Sequence, residues 1–283
     1  MIIDVSEWEI NEDIWTTGTR VKNWLKHPTS EVYWLFKEPK SKGEMYAELA
    51  SYKIGTDVFL LDIAEIELAI CSGIEGTICK SFLGEENSSL FEAVDYFGAQ
   101  FDENDLLMYT IESAIQIAKN FGLEKEFISM CIFDYLIANQ DRHCGNWGFI
   151  ETPNEPDIKK MAPLYDNGSS LFNGLSDEKI EQIINDEESF RAFTNRAKSI
   201  FTVEGKKKPK CTKLLEFLIN YDKLLFEECF GRFSECSCDT IYRSISFIPL
   251  EIMNDKRKIL ISRLVLYRIS LINDLLERGE ELC

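Results

Sequence analysis

The segment 125–138, KEFISMCIFDYLIA, constrains the fold most, because it is apolar nearly all round. A surface helix has one apolar stripe, whereas a helix that is apolar on every side is enclosed by other elements. The preceding stretch, 105–120, has apolar residues at helical spacing and stops near Gly122. From about 175 the pattern predicts several further helices, the last over about 255–278. The sequence therefore predicts a large helical lobe built around segment 125–138.

The first third of the chain has a different pattern. Residues 32–36 are β-branched and aromatic between two prolines, and 76–83 form a second such run, so both predict strands. A helix is predicted between them, over about 43–54. We therefore predict an α+β, two-lobed fold, with a small β-rich N-lobe over 1–95 and a larger, mostly helical C-lobe over 96–283.

Charge and composition exclude several classes of protein. The formal net charge is −18, and a field of that sign repels nucleic acid backbones and anionic membranes, so we expect neither as a partner. The acidic N-terminus does not resemble a signal or transit peptide, and no apolar run approaches the ~20 residues of a membrane span. The nine cysteines are irregularly spaced, which predicts reduced thiols in a cytoplasmic protein.

The loop after the buried helix carries the first motif with chemical meaning. Asp141 is followed at the fifth position by Asn146, the spacing of the protein-kinase catalytic loop. In that arrangement the Asp faces the acceptor hydroxyl, and the Asn binds Mg²⁺ on the phosphates. Carboxylate and amide oxygens are the ligands that a hard cation prefers.

A second motif follows twenty residues after Asn146, where Asp166 begins an Asp-x-Gly sequence. The apolar runs 147–150 and 161–164 flank a proline-containing turn and predict a small hairpin between the two motifs. Such a hairpin would bring Asn146 and Asp166 together. The pair therefore predicts a Mg²⁺ site completed by phosphate oxygens and water.

Positive charge for the phosphates is predicted upstream of both motifs. Lys37 lies at the end of the 32–36 strand, where a lysine can reach the phosphates of ATP. The next helix offers Glu44 and Glu48 as partners for this lysine, and Glu48 is favoured because it lies deeper in the helix. This pattern predicts an ion pair that fixes Lys37.

A phosphate-covering loop is harder to predict, because the chain has no G-x-G-x-x-G sequence. The segment 16–20 contains Gly18, Thr19 and Arg20 and precedes the lysine strand, so it is the favoured candidate. The alternatives are the segment 73–76 and a plain surface turn. Each motif is weak alone, since a single D-x-x-x-x-N is more often a loop cap and a single Asp-x-Gly a turn. The prediction of a phosphoryl-transfer site therefore depends on the order in which these motifs occur along the chain.

These residues resemble the HipA-like kinases, bacterial protein kinases often encoded with an antitoxin. The resemblance rests on residues 133–143 with Asn146 and on 162–171, with weaker agreement at 18–20, 36–37, 46–48 and 109–112. It implies a protein-kinase-like fold that uses ATP and Mg²⁺ to phosphorylate serine or threonine, sometimes on the enzyme itself. It also implies Asp141 as catalytic base, Asn146 and Asp166 as metal ligands and Lys37 on the phosphates. His143 is assigned to the nucleotide site and to support of the loop.

The resemblance also bears on partners. A protein substrate and a possible antitoxin-like partner are implied. This chain has little before its first strand, so we expect the shorter, stand-alone type without the additional N-terminal subdomain that helps contact the antitoxin. Two alternatives are kept open, namely a small-molecule or lipid kinase of the same fold and a non-catalytic nucleotide-binding module.

Overall fold

The computed structural model describes residues 2–12, 22–84, 88–153 and 155–280 of the chain. Its strands are β1 (Ile3–Asp4), β2 (Glu9–Asn11), β3 (Lys22–Lys26), β4 (Tyr33–Lys37), β5 (Ile66–Cys71), β6 (Ile74–Lys80), β7 (Ser89–Glu92), β8 (Gly148–Thr152) and β9 (Glu155–Met161). Its helices are α1 (Lys42–Lys53), α2 (Ile111–Asn120), α3 (Glu124–Ile137), α4 (Asp177–Asn185), α5 (Glu187–Thr194), α6 (Cys211–Tyr221), α7 (Lys223–Ser234), α8 (Cys238–Ile245) and α9 (Asp255–Glu280). The predicted α+β organisation, with strands first and helices after, is confirmed.

Six strands form one sheet in the order β1-β5-β6-β4-β3-β2. Side chains alternate across β4, so Trp34 and Phe36 lie on one face and pack with Leu25 and Ile78 in a small apolar cluster. Lys37 lies on the opposite face, toward α1. The sheet therefore presents its outer apolar cluster away from the helices and its charged face toward them.

Helix α3 lies at the centre of the main core, as its all-round apolar sequence predicts. Every residue of α3 from Phe127 to Ile137 is buried. Ala138 ends the helix in the left-handed conformation, with φ of 59°, and the chain then turns sharply into the loop 139–147. The predicted catalytic loop therefore starts from one of the most enclosed positions in the molecule.

One predicted helix is shorter than expected. The structure begins α2 at Ile111, whereas the spacing predicted a helix over 105–120. Asp102 and Asp105 accept hydrogen bonds from backbone N–H groups two residues ahead, which favours turns over a helix. Thr110 then caps α2 by accepting from the N–H of Ser113 at 3.1 Å. These side-chain bonds outweigh the apolar periodicity, so residues before 110 form turns.

The small hairpin is present, but its strands are displaced from the prediction. β8 and β9 pair antiparallel over 148–161, so residues predicted to form the turn lie in strands, and 162–164 follow the second strand. β7 adds a third strand, which pairs with β8 and was not predicted. The division near residue 95 falls just after β7 and stays a prediction. No helix in the described ranges has the length and hydropathy of a membrane span.

Candidate active site

The charged residues predicted at opposite ends of the site meet across the cleft between sheet and helices. The Nζ of Lys37, at the end of β4, lies 3.8 Å from Oε1 of Glu48 on α1 and 3.5 Å from Oδ1 of Asp166. Glu48 also accepts a hydrogen bond from the backbone N–H of Asn167 at 3.2 Å. Glu44, the other candidate partner, accepts instead from the N–H of Lys40. The structure therefore pairs Lys37 with Glu48.

The pKa values of Lys37, Glu48 and Asp166 are shifted in different directions by their surroundings. The charge of Lys37 holds the pKa of Asp166 well below its usual range, so this carboxylate is ionised at any physiological pH. Burial raises the pKa of Glu48 to about 7, although the adjacent lysine acts in the opposite direction. The nearby carboxylates raise the pKa of Lys37 despite its burial, so the lysine stays charged. The site therefore combines a permanent cation with a permanent anion that is one-third exposed.

A buried arginine joins the two loops that carry the predicted oxygen ligands. Arg142 is 2% exposed and makes a two-pronged ion pair with Asp134 of α3, at 2.9 and 2.8 Å. Its Nη1 also donates to the backbone carbonyl of Asn146 at 2.7 Å and to that of Tyr165 at 2.6 Å. Nη2 donates in addition to the side-chain oxygen of Asn167. One guanidinium thus fixes the catalytic loop and the Asp166 loop against each other.

The sequence analysis missed this role of Arg142. A signal was present, because Asp134 is a charge inside an otherwise apolar helix and such a charge requires a buried partner. The arginine eight residues later is that partner. The contacts of Asp134 are structural, because both of its carboxylate oxygens accept hydrogen bonds from Arg142.

Within the catalytic loop the predicted residues have distinct surroundings. The amide nitrogen of Asn146 donates to the backbone carbonyl of Asp141 at 2.8 Å, which orients the amide and directs its Oδ1 away from that bond. Asp141 itself is exposed, as an acceptor-facing base must be. Nδ1 of the exposed His143 accepts from the N–H of Gly145 at 3.1 Å. The imidazole therefore supports the loop, and its predicted contact with a nucleotide stays a prediction.

The loop that carries Asp166 lies very close to side chains of α1. Asp166 has φ of 57°, a left-handed conformation that few residues other than glycine adopt. A Cβ on Gly168 would lie 2.7 Å from Cγ of Glu44 and 3.3 Å from Oε1 of Glu48. A side chain at position 168 would therefore force the side chain of Glu44 to move and would crowd the carboxylate of Glu48.

The two candidate phosphate loops have different outcomes. Gly18, Thr19 and Arg20 lie outside the described residues. The strand that follows them places Lys22 directly opposite Lys37. The second candidate, 73–76, contains Gly73 in the tight turn that joins β5 to β6, and a contact of this turn with phosphates stays a prediction. Gly76 is required there, since a Cβ would lie 2.5 Å from the backbone oxygen of Lys37.

The donor set of the candidate site fits Mg²⁺. Asp166 offers an ionised carboxylate and Asn146 an amide oxygen, both hard ligands, and Lys37 supplies a positive charge beside them. The described residues contain no group of three or more His, Cys, Asp and Glu that could hold a metal ion alone. A cation held here would therefore need phosphate oxygens and water to complete its coordination.

Comparison with known proteins gives the fold and a class of relatives. No family model matches the chain. The serine/threonine-protein kinase CtkA of Helicobacter pylori is 29% identical over 143 residues, which are 46% of this chain and 42% of that relative. The crystal structure of the proinflammatory kinase CtkA from H. pylori matches with a TM-score of 0.79 at 21% identity, over 100% of this chain and 99% of that one.

HipA of Shewanella oneidensis MR-1, solved with HipB and operator DNA, is a more distant neighbour. It matches with a TM-score of 0.52 at 11% identity, over 94% of this chain and 69% of that one. The chain thus has a protein-kinase-like fold. Its predicted resemblance to the HipA-like kinases is confirmed, and the similarity supports a kinase of that type. The aligned stretch spans less than half of CtkA, so the activity of the whole chain belongs to the proposal below.

Proposed function

We propose that this protein is an ATP- and Mg²⁺-dependent serine/threonine-protein kinase of HipA-like type. The observation that carries the proposal is the meeting of Lys37, Glu48 and Asp166 across the cleft, next to a catalytic loop that Arg142 ties to the same place. The similarity to the serine/threonine-protein kinase CtkA supports the same conclusion.

Each residue then has a task that its surroundings suit. Asp166 and Asn146 would hold Mg²⁺, which neutralises charge on the phosphates when bound. Lys37 would hold phosphate oxygens, kept in place by Glu48. The exposed carboxylate of Asp141 would accept a hydrogen bond from the acceptor hydroxyl and take its proton.

The transfer step follows from these positions. The acceptor oxygen forms a bond to the γ-phosphorus while the bond from that phosphorus to the β–γ bridging oxygen breaks. The acceptor proton passes to Asp141, and the leaving ADP carries the electron pair of the broken bond. The protein contributes orientation and fixed charge, which are the main sources of catalysis in phosphoryl transfer.

Label transfer tests the proposal. The pure protein is incubated with γ-labelled ATP, Mg²⁺ and a protein extract, beside Asp141→Ala and a control, Asp274→Asn, on the exposed side of α9. We expect labelled serine or threonine with the wild type and the control, and a loss of at least about a hundredfold with Asp141→Ala. No transfer by the wild type, or equal transfer by Asp141→Ala, contradicts the proposal.

The same experiment separates the alternatives. Label in lipid or metabolite fractions without labelled protein would indicate a kinase with another acceptor. ATP·Mg²⁺ binding by calorimetry without any turnover would indicate a non-catalytic module. Label on the purified protein, incubated without extract, would identify autophosphorylation. We further propose a cytoplasmic location and, from HipA in its complex with HipB, an antitoxin-like partner that co-purification from the native host would test.

A further inference from the structure

The segment 195–210, which joins α5 to α6 and is called the basic hairpin below, has a charge opposite to that of the chain. It contains six basic residues and one acidic residue, whereas the whole chain has a net charge of −18. All six basic side chains are exposed, namely Arg196, Lys198, Lys206, Lys207, Lys208 and Lys210. A local concentration of positive charge on an acidic protein attracts anions to that part of its surface.

The backbone of the basic hairpin has a defined conformation. The N–H of Ser199 donates to the carbonyl of Pro209 at 3.0 Å, which pairs the two arms. At the tip, Val203 and Lys206 exchange backbone hydrogen bonds of 3.2 and 2.9 Å. The two residues between them, 204 and 205, have φ of 48° and 72°, as a tight two-residue turn requires. The lysines are therefore carried by an ordered scaffold.

Buried side chains attach the basic hairpin to the catalytic loop. Phe201 and Thr202 are buried, and the Phe201 ring stacks on that of Tyr109 with 4.7 Å between the centroids. The N–H of Thr202 donates to the carbonyl of Tyr109 at 2.8 Å. The hydroxyl of Tyr109 donates in turn to the carbonyl of Arg142, also at 2.8 Å. Tyr109 thus joins the hairpin to the residue that follows Asp141.

A second contact is made on the other side of Asp141. The N–H of Lys198 donates to Oε1 of Gln140, the residue before Asp141, at 3.4 Å. Lys198 is paired across the hairpin with Lys210. The base of the basic hairpin, which carries these two exposed lysines, therefore lies beside the exposed carboxylate that we propose as the base of the reaction.

Most of the positive charge of the hairpin is not neutralised by the protein. Lys207 forms an ion pair with Asp105 at 2.8 Å. The other five basic residues make no ion pair with a carboxylate of the described chain, although the sequence contains 49 acidic residues. A solvated surface loop would explain exposed lysines. It would not explain an ordered hairpin that holds unpaired cations against the catalytic loop of an acidic protein.

The position of the hairpin indicates which anion it meets. The net charge of −18 opposes long nucleic acids and anionic membranes, which interact with a wide surface. The acceptor segment of a protein substrate has to pass over Asp141, and its neighbouring residues then lie within reach of Lys198 and Lys210. Acidic side chains in that segment would complement the hairpin.

We propose that the basic hairpin binds acidic residues next to the acceptor serine or threonine of a protein substrate, with Lys198 and Lys210 as the specificity-determining pair. This inference rests on the proposed function and names its substrate class. Exposed ion pairs are individually weak, so the expected preference is several-fold. The lysines contact the substrate equally before and during transfer, so the preference should appear in KM rather than in kcat.

Transfer to peptide pools tests this proposal. Three degenerate pools have a central serine or threonine, with the flanking positions fixed as aspartate, glutamine or lysine. For the wild type we expect KM of the aspartate pool to be at least about threefold below that of the glutamine pool, and KM of the lysine pool to be the highest. Lys198→Gln/Lys210→Gln should raise KM of the aspartate pool at least about threefold, with a smaller change for the glutamine pool.

A matched control removes the same charge elsewhere. Lys119 and Lys125 are exposed at the start of α3, roughly 20 Å along the helix axis from the catalytic loop at its other end. Lys119→Gln/Lys125→Gln should keep the preference for the aspartate pool. If the interaction is electrostatic, Lys198→Glu/Lys210→Glu should transfer the preference to the lysine pool. The contact of Lys198 with Gln140 is made by its backbone, so these variants keep it, and thermal melting checks that all of them are folded.

The outcomes separate this proposal from the proposed function. Label in proteins of the extract, without a preference for the aspartate pool, overturns the proposal alone. A preference that persists in Lys198→Gln/Lys210→Gln also overturns it. Fluorescence anisotropy with duplex DNA adds a further outcome, since binding that is weakened in this variant, without any peptide preference, would assign the hairpin to nucleic acid instead. If the wild type labels neither extract nor pools, the proposed kinase fails together with this proposal.

Discussion

The two sides of the cleft are held in different ways. On the helical side, a fully buried Arg142 fixes both loops through an ion pair to Asp134 and hydrogen bonds to backbone carbonyls. On the sheet side, Lys37 is held by contacts of 3.5 and 3.8 Å to the carboxylates of Asp166 and Glu48. The proposed oxygen ligands are therefore positioned by buried scaffold residues, whereas the ammonium group of Lys37 is positioned by carboxylates of the site itself. Substitutions should affect folding on the helical side and chemistry on the sheet side.

The largest effect is expected from Arg142→Leu. This variant leaves Asp134 buried without its partner, and loss of one partner of a buried pair costs about 3–5 kcal/mol of unfolding free energy. Urea unfolding followed by circular dichroism measures the loss. Asp134→Leu/Arg142→Leu should recover part of it, because no uncompensated charge remains. If the unfolding free energy of Arg142→Leu lies within about 1 kcal/mol of the wild-type value, the structural role of Arg142 is contradicted.

Asp166→Asn should lower the rate of label transfer strongly and affect stability less. Asn tolerates the left-handed φ of this position, and the Asp166 side chain is 34% exposed, so we expect a smaller loss of unfolding free energy than in Arg142→Leu. The rate of label transfer should fall at least about a hundredfold, because a charged metal ligand is lost. Paired melting and transfer assays measure both. A large loss of stability without loss of rate would reverse the comparison.

Glu48 connects the two sides and gives a pH test. Its pKa is raised to about 7 from 4.5, so the folded protein retains a proton that the unfolded chain releases, and stability falls as the pH rises from about 4.5 to about 7. Glu48→Gln has no such proton and keeps an acceptor for Asn167. The wild type should therefore lose about 1–3 kcal/mol relative to this variant across that interval. Urea unfolding at several pH values measures it, with Glu44→Gln expected to follow the wild type.

The smallest effect is expected at His143. Its ring accepts one exposed hydrogen bond within the loop, which is worth about 0.5–1.5 kcal/mol at most. His143→Ala should therefore lower transfer less than about tenfold, and His143→Asn, which can accept a similar bond, should recover part of the rate. A loss as large as that of Asp166→Asn would instead place the imidazole on the nucleotide, as the sequence analysis assigned it.

The sequence predicted the parts of this molecule that local pattern determines. The central position of helix α3 could be predicted because a helix that is apolar on all sides has to be buried. The Lys37–Glu48 pair could be predicted because a lysine at a strand end is followed by a helix that carries the glutamate. The start of α2 was wrong because side chains of Asp102 and Asp105 compete for the backbone. The role of Arg142 was missed because its contacts join residues from three separate segments, and no spacing along the chain encodes such a junction.

The hydrogen bonds by which Arg142 joins the two loops have a thermodynamic consequence for ligand binding. Because both loops are already fixed by bonds inside the protein, little backbone freedom remains to be lost when a ligand enters. Calorimetry should therefore give an entropy of Mg²⁺·nucleotide binding without the large unfavourable contribution that marks folding coupled to binding. The conformational entropy of these loops is lost when the chain folds and not when the ligand binds. The affinity of the site for a ligand should therefore depend little on loop motion.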